Sequence, residues 1–392
     1  MIAIRKKKFI LLIMVALILG FALAGGIGAI FLLTNDSVIL SDRQYQTMKY
    51  MTEKYDKTEQ LYTAIQDNYY IGVEDDPLLE GIYKGLLWGL NDPYSEYLTS
   101  REYEDLMVST MGEFEGIGVT ITADTNGNIV VVSTIEGTPA DQAGLKTGDV
   151  ITMVDKEPYN GSQLSKAAGA MRGEKGTRVT ITYWREGVTT DVVLTRAKIV
   201  DKSIYSKMLT EDLAYIRITQ FEKNTDKDFQ LTLNQLEESG VKGIIIDLRN
   251  NGGGLIDSGI NIADMLLGEG TITYLENNKK ERNYYNSEDS ATTIPYILLI
   301  NEGTASTSEI LAAAIQDNRG GRIIGTKSFG KGVVQSVEML ADGDALKLTV
   351  MQYYSPKGNI IQGKGVTPDV IVEDIEETPL DEPLEKAIQL LQ

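Results

Sequence analysis

Neither histidine nor cysteine occurs anywhere in the 392 residues. Without them there is no Ser-His-Asp triad, no Cys-His dyad and no zinc site built on His or Cys ligands. A serine nucleophile in this chain must pass its proton to Lys, Asp, Glu or Tyr, and lysine is the usual substitute. The missing cysteine also excludes a disulfide framework, and it suits an extracytoplasmic bacterial setting in which stray thiols would be oxidised. Basic residues are scarce relative to acidic ones, 37 against 56, for a net charge of -19. That balance argues against a nucleic-acid partner, which calls for a basic surface.

The basic residues that do cluster stand at the start, as Arg5, Lys6, Lys7 and Lys8, ahead of an uncharged run over 9–33. That run exceeds the roughly 20 apolar residues needed to cross a bilayer. The basic flank before it and Asp36 after it predict an N-terminus inside and the remainder outside. Residues 1–35 are therefore expected to be a cytoplasmic basic tail and a single transmembrane anchor, with the rest of the chain extracytoplasmic at a bacterial cell membrane. A cleavable signal peptide is the rival, because Ala22-Leu23-Ala24 resembles a cleavage site, but the apolar run continues through Leu33.

Residues 36–111 carry helical apolar spacing, as at Leu61 and Ile65 and again at Leu78, Ile82 and Leu86. They are expected to form a helical arm that packs against a second subunit, giving a homodimer. Asn91-Asp92-Pro93-Tyr94 interrupts them with turn chemistry. Residues 112–198 switch to short β-branched runs separated by Gly, Asn-Gly and Gly-Asp turns, with two helical pieces between them. From 199 to 392 strands and helices alternate. There 243–248 reads as a buried parallel strand, and it ends in Asn250-Asn251-Gly252-Gly253-Gly254. A glycine-rich turn at the carboxyl end of such a strand is where α/β folds place ligands.

Ser306 stands just before an apolar, alanine-rich helical segment over 309–315, so its hydroxyl lies at a helix N-terminus. Ser306-Thr307-Ser308-Glu309 also spells a capping box, which is a structural role for the same serine. The two roles are compatible, since a helix N-terminus stabilises negative charge near a reacting oxygen. Lys331 sits in a loop between Gly330 and Gly332, with Gln335 beyond it. A lysine titrates near 10.4 in a model peptide, so it acts as a base near neutrality only where burial disfavours its charge. Its uncharged neighbours, Phe329, Val333 and Val334 among them, fit that requirement.

Gly116-Ile117-Gly118-Val119, followed by Gly137-Thr138-Pro139-Ala140 and Ala143-Gly144-Leu145-Lys146-Thr147-Gly148-Asp149, resembles a PDZ domain. That resemblance implies that the loop at Gly116, Ile117, Gly118 and Val119 meets a peptide's terminal carboxylate while the peptide adds a strand. From about Leu61 to its end the chain resembles the carboxyl-terminal processing peptidases, tail-specific serine proteases with an embedded PDZ domain. The carrying motifs, in order, are Asp92-Pro93-Tyr94, Asp247-Leu248-Arg249-Asn250-Asn251-Gly252-Gly253-Gly254, Ala305-Ser306-Thr307-Ser308-Glu309-Ile310, Thr326-Lys327-Ser328-Phe329-Gly330-Lys331-Gly332 and Gly365-Val366-Thr367-Pro368-Asp369.

The resemblance implies an α/β (α+β) fold, with a crotonase/ClpP-like protease core around an inserted β-rich PDZ domain. It implies Ser306 as nucleophile, Lys331 as general base, Gln335 as the residue that positions the lysine, and an oxyanion hole from amides at Gly253 and Thr307. It implies no metal and no cofactor, and protein or peptide substrates with exposed, apolar C-terminal tails. Arg172, where the family has a recurrent arginine, is expected to couple the PDZ module to the protease body. Three positions depart from the family pattern. Thr304 stands where Ser is usual and keeps a hydroxyl, Thr307 replaces Ala and is expected to narrow the substrate pocket, and Gly252 replaces Pro and is expected to loosen the oxyanion loop.

Three other readings compete. The segment from Gly325 to Gly332 nearly spells a phosphate-binding loop, but Gly332 supplies no hydroxyl for Mg²⁺ and 333–339 reads as a strand rather than a helix. A catalytically inactive, membrane-tethered PDZ adaptor would need a broken dyad, and Ser306, Lys331 and Gln335 are all present. A hydrolase built on two carboxylates finds no acidic pair set apart from the many others.

Overall fold

A computed structural model describes residues 6–34, 40–200, 202–289, 291–375 and 379–392. It divides into two compact units, 1–82 and 83–392. In the first, helices run over Lys6–Thr34 and Asp42–Asn68. The second helix opens on a capping box, Ser41 N–H donating to Gln44 Oε1 at 3.0 Å. It buries none of its side chains, and Tyr45, Met48, Met51, Tyr55 and Ile65 stand exposed along it. Among the described residues no helix is long and apolar enough to cross a membrane. The span expected over 9–33 falls on the helix Lys6–Thr34, where Phe9, Ala24 and 27–34 have side chains outside the described residues.

The second unit is built on a six-stranded sheet in the order Ile204–Met208, Leu213–Ile218, Gly243–Asp247, Tyr296–Ile300, Arg322–Gly325, Val370–Ile371. All neighbours pair in parallel except the first two. The strands Gly243–Asp247 and Tyr296–Ile300 are buried at every position, as expected of continuous apolar runs covered on both faces. Because side chains alternate along a strand, Ile244 and Ile246 face a core shared with helices Thr225–Glu238, Ile256–Leu266 and Thr307–Asn318. Ile245, Ile297 and Leu299 face the other way, onto Leu384, Ala387 and Ile388 of the C-terminal helix Glu382–Leu391.

That last helix is tied to the sheet by charge. Arg249 donates to Asp247 Oδ2 at 2.7 Å and to Asp381 Oδ2 at 2.8 Å, and Asp381 also caps the helix by accepting from Leu384 N. A second sheet within this unit brings an early strand beside late ones. Its order is Glu96–Leu98, Ala345–Tyr354, Gly270–Asn277, Arg282–Ser287, with Val333–Met339 also paired to Ala345–Tyr354.

The β-rich module has its own core, centred on Ile129, Ile151, Val179, Ile181 and Leu194, and its own sheet, which begins at an edge strand, Val119–Ala123. Its two ends are joined. Glu113–Gly116 pairs antiparallel with Ala197–Val200, so the chain leaves beside the point where it entered.

Candidate active site

Four segments meet at the carboxyl ends of the two central strands. They are the glycine turn 250–254, the start of the helix Thr307–Asn318, the lysine loop 326–332 and the turn 92–95. From Thr304 to Ile315 every residue is buried except Ser306, which is half-exposed. Ser306 is also held at φ 58°, ψ -120°. A residue with a β-carbon at positive φ is strained, at a cost of order 1–3 kcal/mol, and persists only where its surroundings fix it.

Two side chains do the fixing, and neither had been singled out for it in the sequence. Glu309 is fully buried. Its Oε2 accepts from Ser306 N at 2.9 Å and from Lys331 N at 2.8 Å, while its Oε1 accepts from Gly330 N at 2.7 Å and from Ser328 Oγ at 2.6 Å. The cap residue is therefore also the clasp between the serine and the lysine loop. The second is Tyr353, whose O–H lies on the carbonyl oxygens of both Ser306, at 3.0 Å, and Lys331.

The lysine loop is pressed against a second loop, which explains its glycines. A β-carbon at Gly332 would run into Gln362 N, and Gly330, at φ 94°, lies within 3.0 Å of Gly365 N by the same test. Burial is the main force lowering the Lys331 pKa, and the like charge of Lys347 adds to it, while Asp92, Glu309 and Glu96 oppose it. Among the described residues Lys331 Nζ makes no hydrogen bond to Ser306 Oγ. It lies instead over the ring of Tyr94, 4.8 Å from the centroid. A register shift between Val334 and Gln335 breaks the strand's alternation, and Gln335 Nε2 donates to Thr349 Oγ1 at 3.1 Å. The lysine is followed by the strand Val333–Met339, so no helix is present to make the phosphate-binding loop.

On the other side, Gly253 packs directly on Ser306. A β-carbon there would lie 2.7 Å from Ser306 Cβ and 2.9 Å from Thr307 N. The Gly253 N–H is engaged by Asn251 Oδ1 at 2.9 Å, and the wholly buried Asn251 in turn donates to Ile218 O. Thr307 N is the first amide of its helix, where N–H groups have no partner within the helix. Thr304 uses its hydroxyl as expected, donating to Leu248 O at 2.9 Å.

The expectation for Thr307 is corrected. Its side chain is fully buried, with Oγ1 donating to Gly254 O at 2.8 Å and its methyl against Gly259, so the added bulk enters the core rather than the substrate pocket.

In the β-rich module, Ile117 is buried in the core and its carbonyl accepts from Ala140 N at 2.8 Å, while Gly118 takes φ 77° against Thr138. A cavity of about 70 Å³ lies between the edge strand and the helix Leu164–Met171, lined by Ile117, Gly118, Val119, Ile121, Met171 and Arg172. Gly116 ends the strand that enters the module. Arg172 reaches Asp105, on the helix Ser100–Met111, and stacks 5.8 Å from the ring centroid of Phe114. Its partner is that connecting helix rather than the body that starts at 199. The helix in turn accepts from Gln220 Nε2 at Ser109 O, 3.1 Å.

Three family models match this chain: peptidase family S41 over 212–372, a PDZ domain over 116–195, and the activating protease CtpB N-terminal domain over 29–101. The chain is 33% identical over 372 residues to the carboxy-terminal processing protease CtpA of Bacillus subtilis, covering 94% of this chain and 78% of that one. It is 38% identical over 322 residues to a carboxy-terminal-processing protease of Bartonella bacilliformis, covering 80% and 74%. It also matches the structure of the photosystem II D1 C-terminal processing protease with a TM-score of 0.51 at 29% identity, covering 85% and 90%.

Two substitutions test this geometry. Glu309→Gln presents an amide N–H₂ where two donors need an oxygen, and each orphaned buried donor costs about 1–3 kcal/mol. Thermal unfolding should show a clear fall in Tm, together with loss of activity. Gly259→Ala should cost about 1–3 kcal/mol by overpacking against the Thr307 methyl. Adding Thr307→Ser, which removes that methyl and keeps the hydroxyl, should restore most of the loss in a double-mutant cycle.

Proposed function

Because the chain belongs to peptidase family S41, among its carboxy-terminal processing serine proteases, we propose that Ser306 is its nucleophile and Lys331 its general base. The observation that carries this reading is that the amides of Ser306 and Lys331 share one buried oxygen, Glu309 Oε2, in a run where Ser306 alone is open to solvent. The inactive adaptor reading has nothing comparable in its favour.

Neutral Lys331 takes the Ser306 Oγ proton as the oxygen attacks the peptide carbonyl. The negative charge that develops on the carbonyl oxygen is met by the Thr307 N–H at the helix N-terminus, and by the Gly253 N–H once the glycine turn releases it from Asn251. The lysine then passes its proton to the departing amine, leaving an acyl-enzyme. A water, deprotonated by the again neutral Lys331, attacks the ester, and the lysine returns that proton to Ser306 Oγ as the new carboxyl terminus leaves. Gln335 completes the base by turning from Thr349 toward the lysine. Substrates are proteins whose C-terminal tails add a strand beside Val119–Ala123 and seat an apolar terminal side chain in the cavity at Ile117 and Met171. Gly116, Ile117, Gly118 and Val119 form the carboxylate end of that groove. Arg172 lines the same groove, so a bound tail competes with its pairing to Asp105 and signals through the connecting helix to the body.

The uncharged run 9–33 supports a single-pass anchor with the peptidase on the outer side of a bacterial membrane. The helix Asp42–Asn68, which buries none of its side chains, supports with its Met and Tyr positions a homodimer formed through the N-terminal arm.

Two experiments check the chemistry. Degradation of an unfolded, tail-bearing test protein should fall at least about a thousandfold in Ser306→Ala and in Lys331→Ala, and equal cleavage by all three proteins would place the chemistry elsewhere. In the pH profile of kcat/KM, activity should rise with pH as Lys331 loses its proton, with an acid limb below the ordinary lysine pKa of about 10.4. Lys347→Met removes a like charge and leaves Glu96, its partner at 2.7 Å, unpaired beside the site. Both changes favour the ammonium, so the acid limb should move to higher pH.

A further inference from the structure

We propose that Tyr94 is a positioning residue for the general base, its ring face holding the Lys331 ammonium in the enzyme free of substrate. The inference rests on Lys331 being that base. The contact is direct, with Nζ 4.8 Å from the ring centroid and Tyr94 half-buried. An aromatic face attracts a cation through its quadrupole, and more strongly where water is excluded.

The turn that carries the ring is built to hold it there. Asp92 Oδ1 accepts from Tyr94 N at 3.1 Å, and Asp92 Oδ2 accepts from Ser95 Oγ at 2.5 Å. Ser95 Oγ accepts from Thr349 N at 2.9 Å, and Thr349 Oγ1 accepts from Gln335 Nε2. Just beyond, Glu96–Leu98 pairs with the strand Ala345–Tyr354, which also carries the lysine's own strand. The ring, the lysine and Gln335 are thus fixed to one sheet, although Tyr94 lies in a segment far from the others in sequence.

The consequence is a bias on the amine. The ring stabilises the charged form, so it works against the burial that lowers this lysine's pKa. Burial also pushes the Tyr94 phenol upward, which keeps the ring neutral while the lysine titrates. The other groups facing the ammonium are Asp92 on the same turn, Glu96 on the strand after it, Glu309 on the serine helix, and Lys347 on the neighbouring strand, with the Tyr353 phenol on the lysine's carbonyl. None of these is altered by a change at Tyr94, so such a change isolates the ring.

The test is the pH dependence of kcat/KM for the full-length chain in detergent, cleaving an unfolded test protein, in wild type, Tyr94→Phe, Tyr94→Leu and Lys331→Ala. Tyr94→Phe keeps the ring and should overlay wild type. Tyr94→Leu keeps the apolar cover without the quadrupole and should move the acid limb down by about half a unit to one and a half units, speeding cleavage on that limb about 3- to 30-fold. Tyr94→Met serves the same purpose if the Leu variant does not fold. A Leu or Met profile that overlays wild type or moves to higher pH overturns the proposal, as does a Phe profile that moves with it. Lys331→Ala separates the two levels. If that variant keeps the wild-type limb, the dyad reading fails and this inference fails with it. If it is inactive while Tyr94→Leu overlays wild type, the inference alone fails.

Discussion

One buried carboxylate makes the site possible. Glu309 lies in the first turn of its helix, where the helix dipole and unpaired amides favour a negative group, and four donors converge on it. A carboxylate accepts at two oxygens and donates at none. It can therefore join two backbone segments that each arrive with N–H groups pointing inward. One of those segments presents the serine, the other the lysine. The strained backbone at Ser306 is tolerated because its N–H is held by Glu309 and its carbonyl by Tyr353. The same two side chains hold Lys331 at its N–H and its carbonyl. Ser306 and Lys331 thus take their positions from main-chain atoms.

The groups proposed for the chemistry rest on separate contacts. The lysine amine rests on Tyr94, Gln335 on Thr349, and the Gly253 amide on Asn251. Each of these contacts is one ordinary interaction, so each is reversible at a cost comparable to what a bound substrate supplies. The rigid frame and the movable contacts are separated by burial. Glu309, Asn251 and Thr307 are wholly buried, whereas Lys331, Gln335 and Tyr94 are half-exposed.

The regular elements were legible where local pattern decides structure. The helix Thr225–Glu238 and the strand Val333–Met339 follow directly from apolar periodicity, and the buried strand Gly243–Asp247 from its run of isoleucines. The strand Glu96–Leu98 was not, because its three residues sit in a segment with helical spacing and are fixed by partners at the far end of the chain, Ala345 to Lys347. The hairpin Gly270–Asn277 with Arg282–Ser287 also escaped, since it turns through Lys280 at φ 66° rather than through the glycine that marks most tight hairpins. At the site, Ser306, Lys331 and Gly253 were named from motif and chemistry. Glu309 was visible only as a cap, because the donors that make it a clasp lie twenty residues on, and Thr307 was misread because Gly259, which receives its methyl, belongs to another helix.

The paired strands Glu113–Gly116 and Ala197–Val200 make the tail-reading module a cassette. Neighbouring strands lie about 5 Å apart, so the doorway through which the chain departs and returns is no wider than a single backbone hydrogen bond requires. The peptidase fold closes across that gap whatever hangs from it. A lineage can therefore exchange one tail reader for another, and with it the set of proteins marked for cutting, while the residues that break the bond stay untouched.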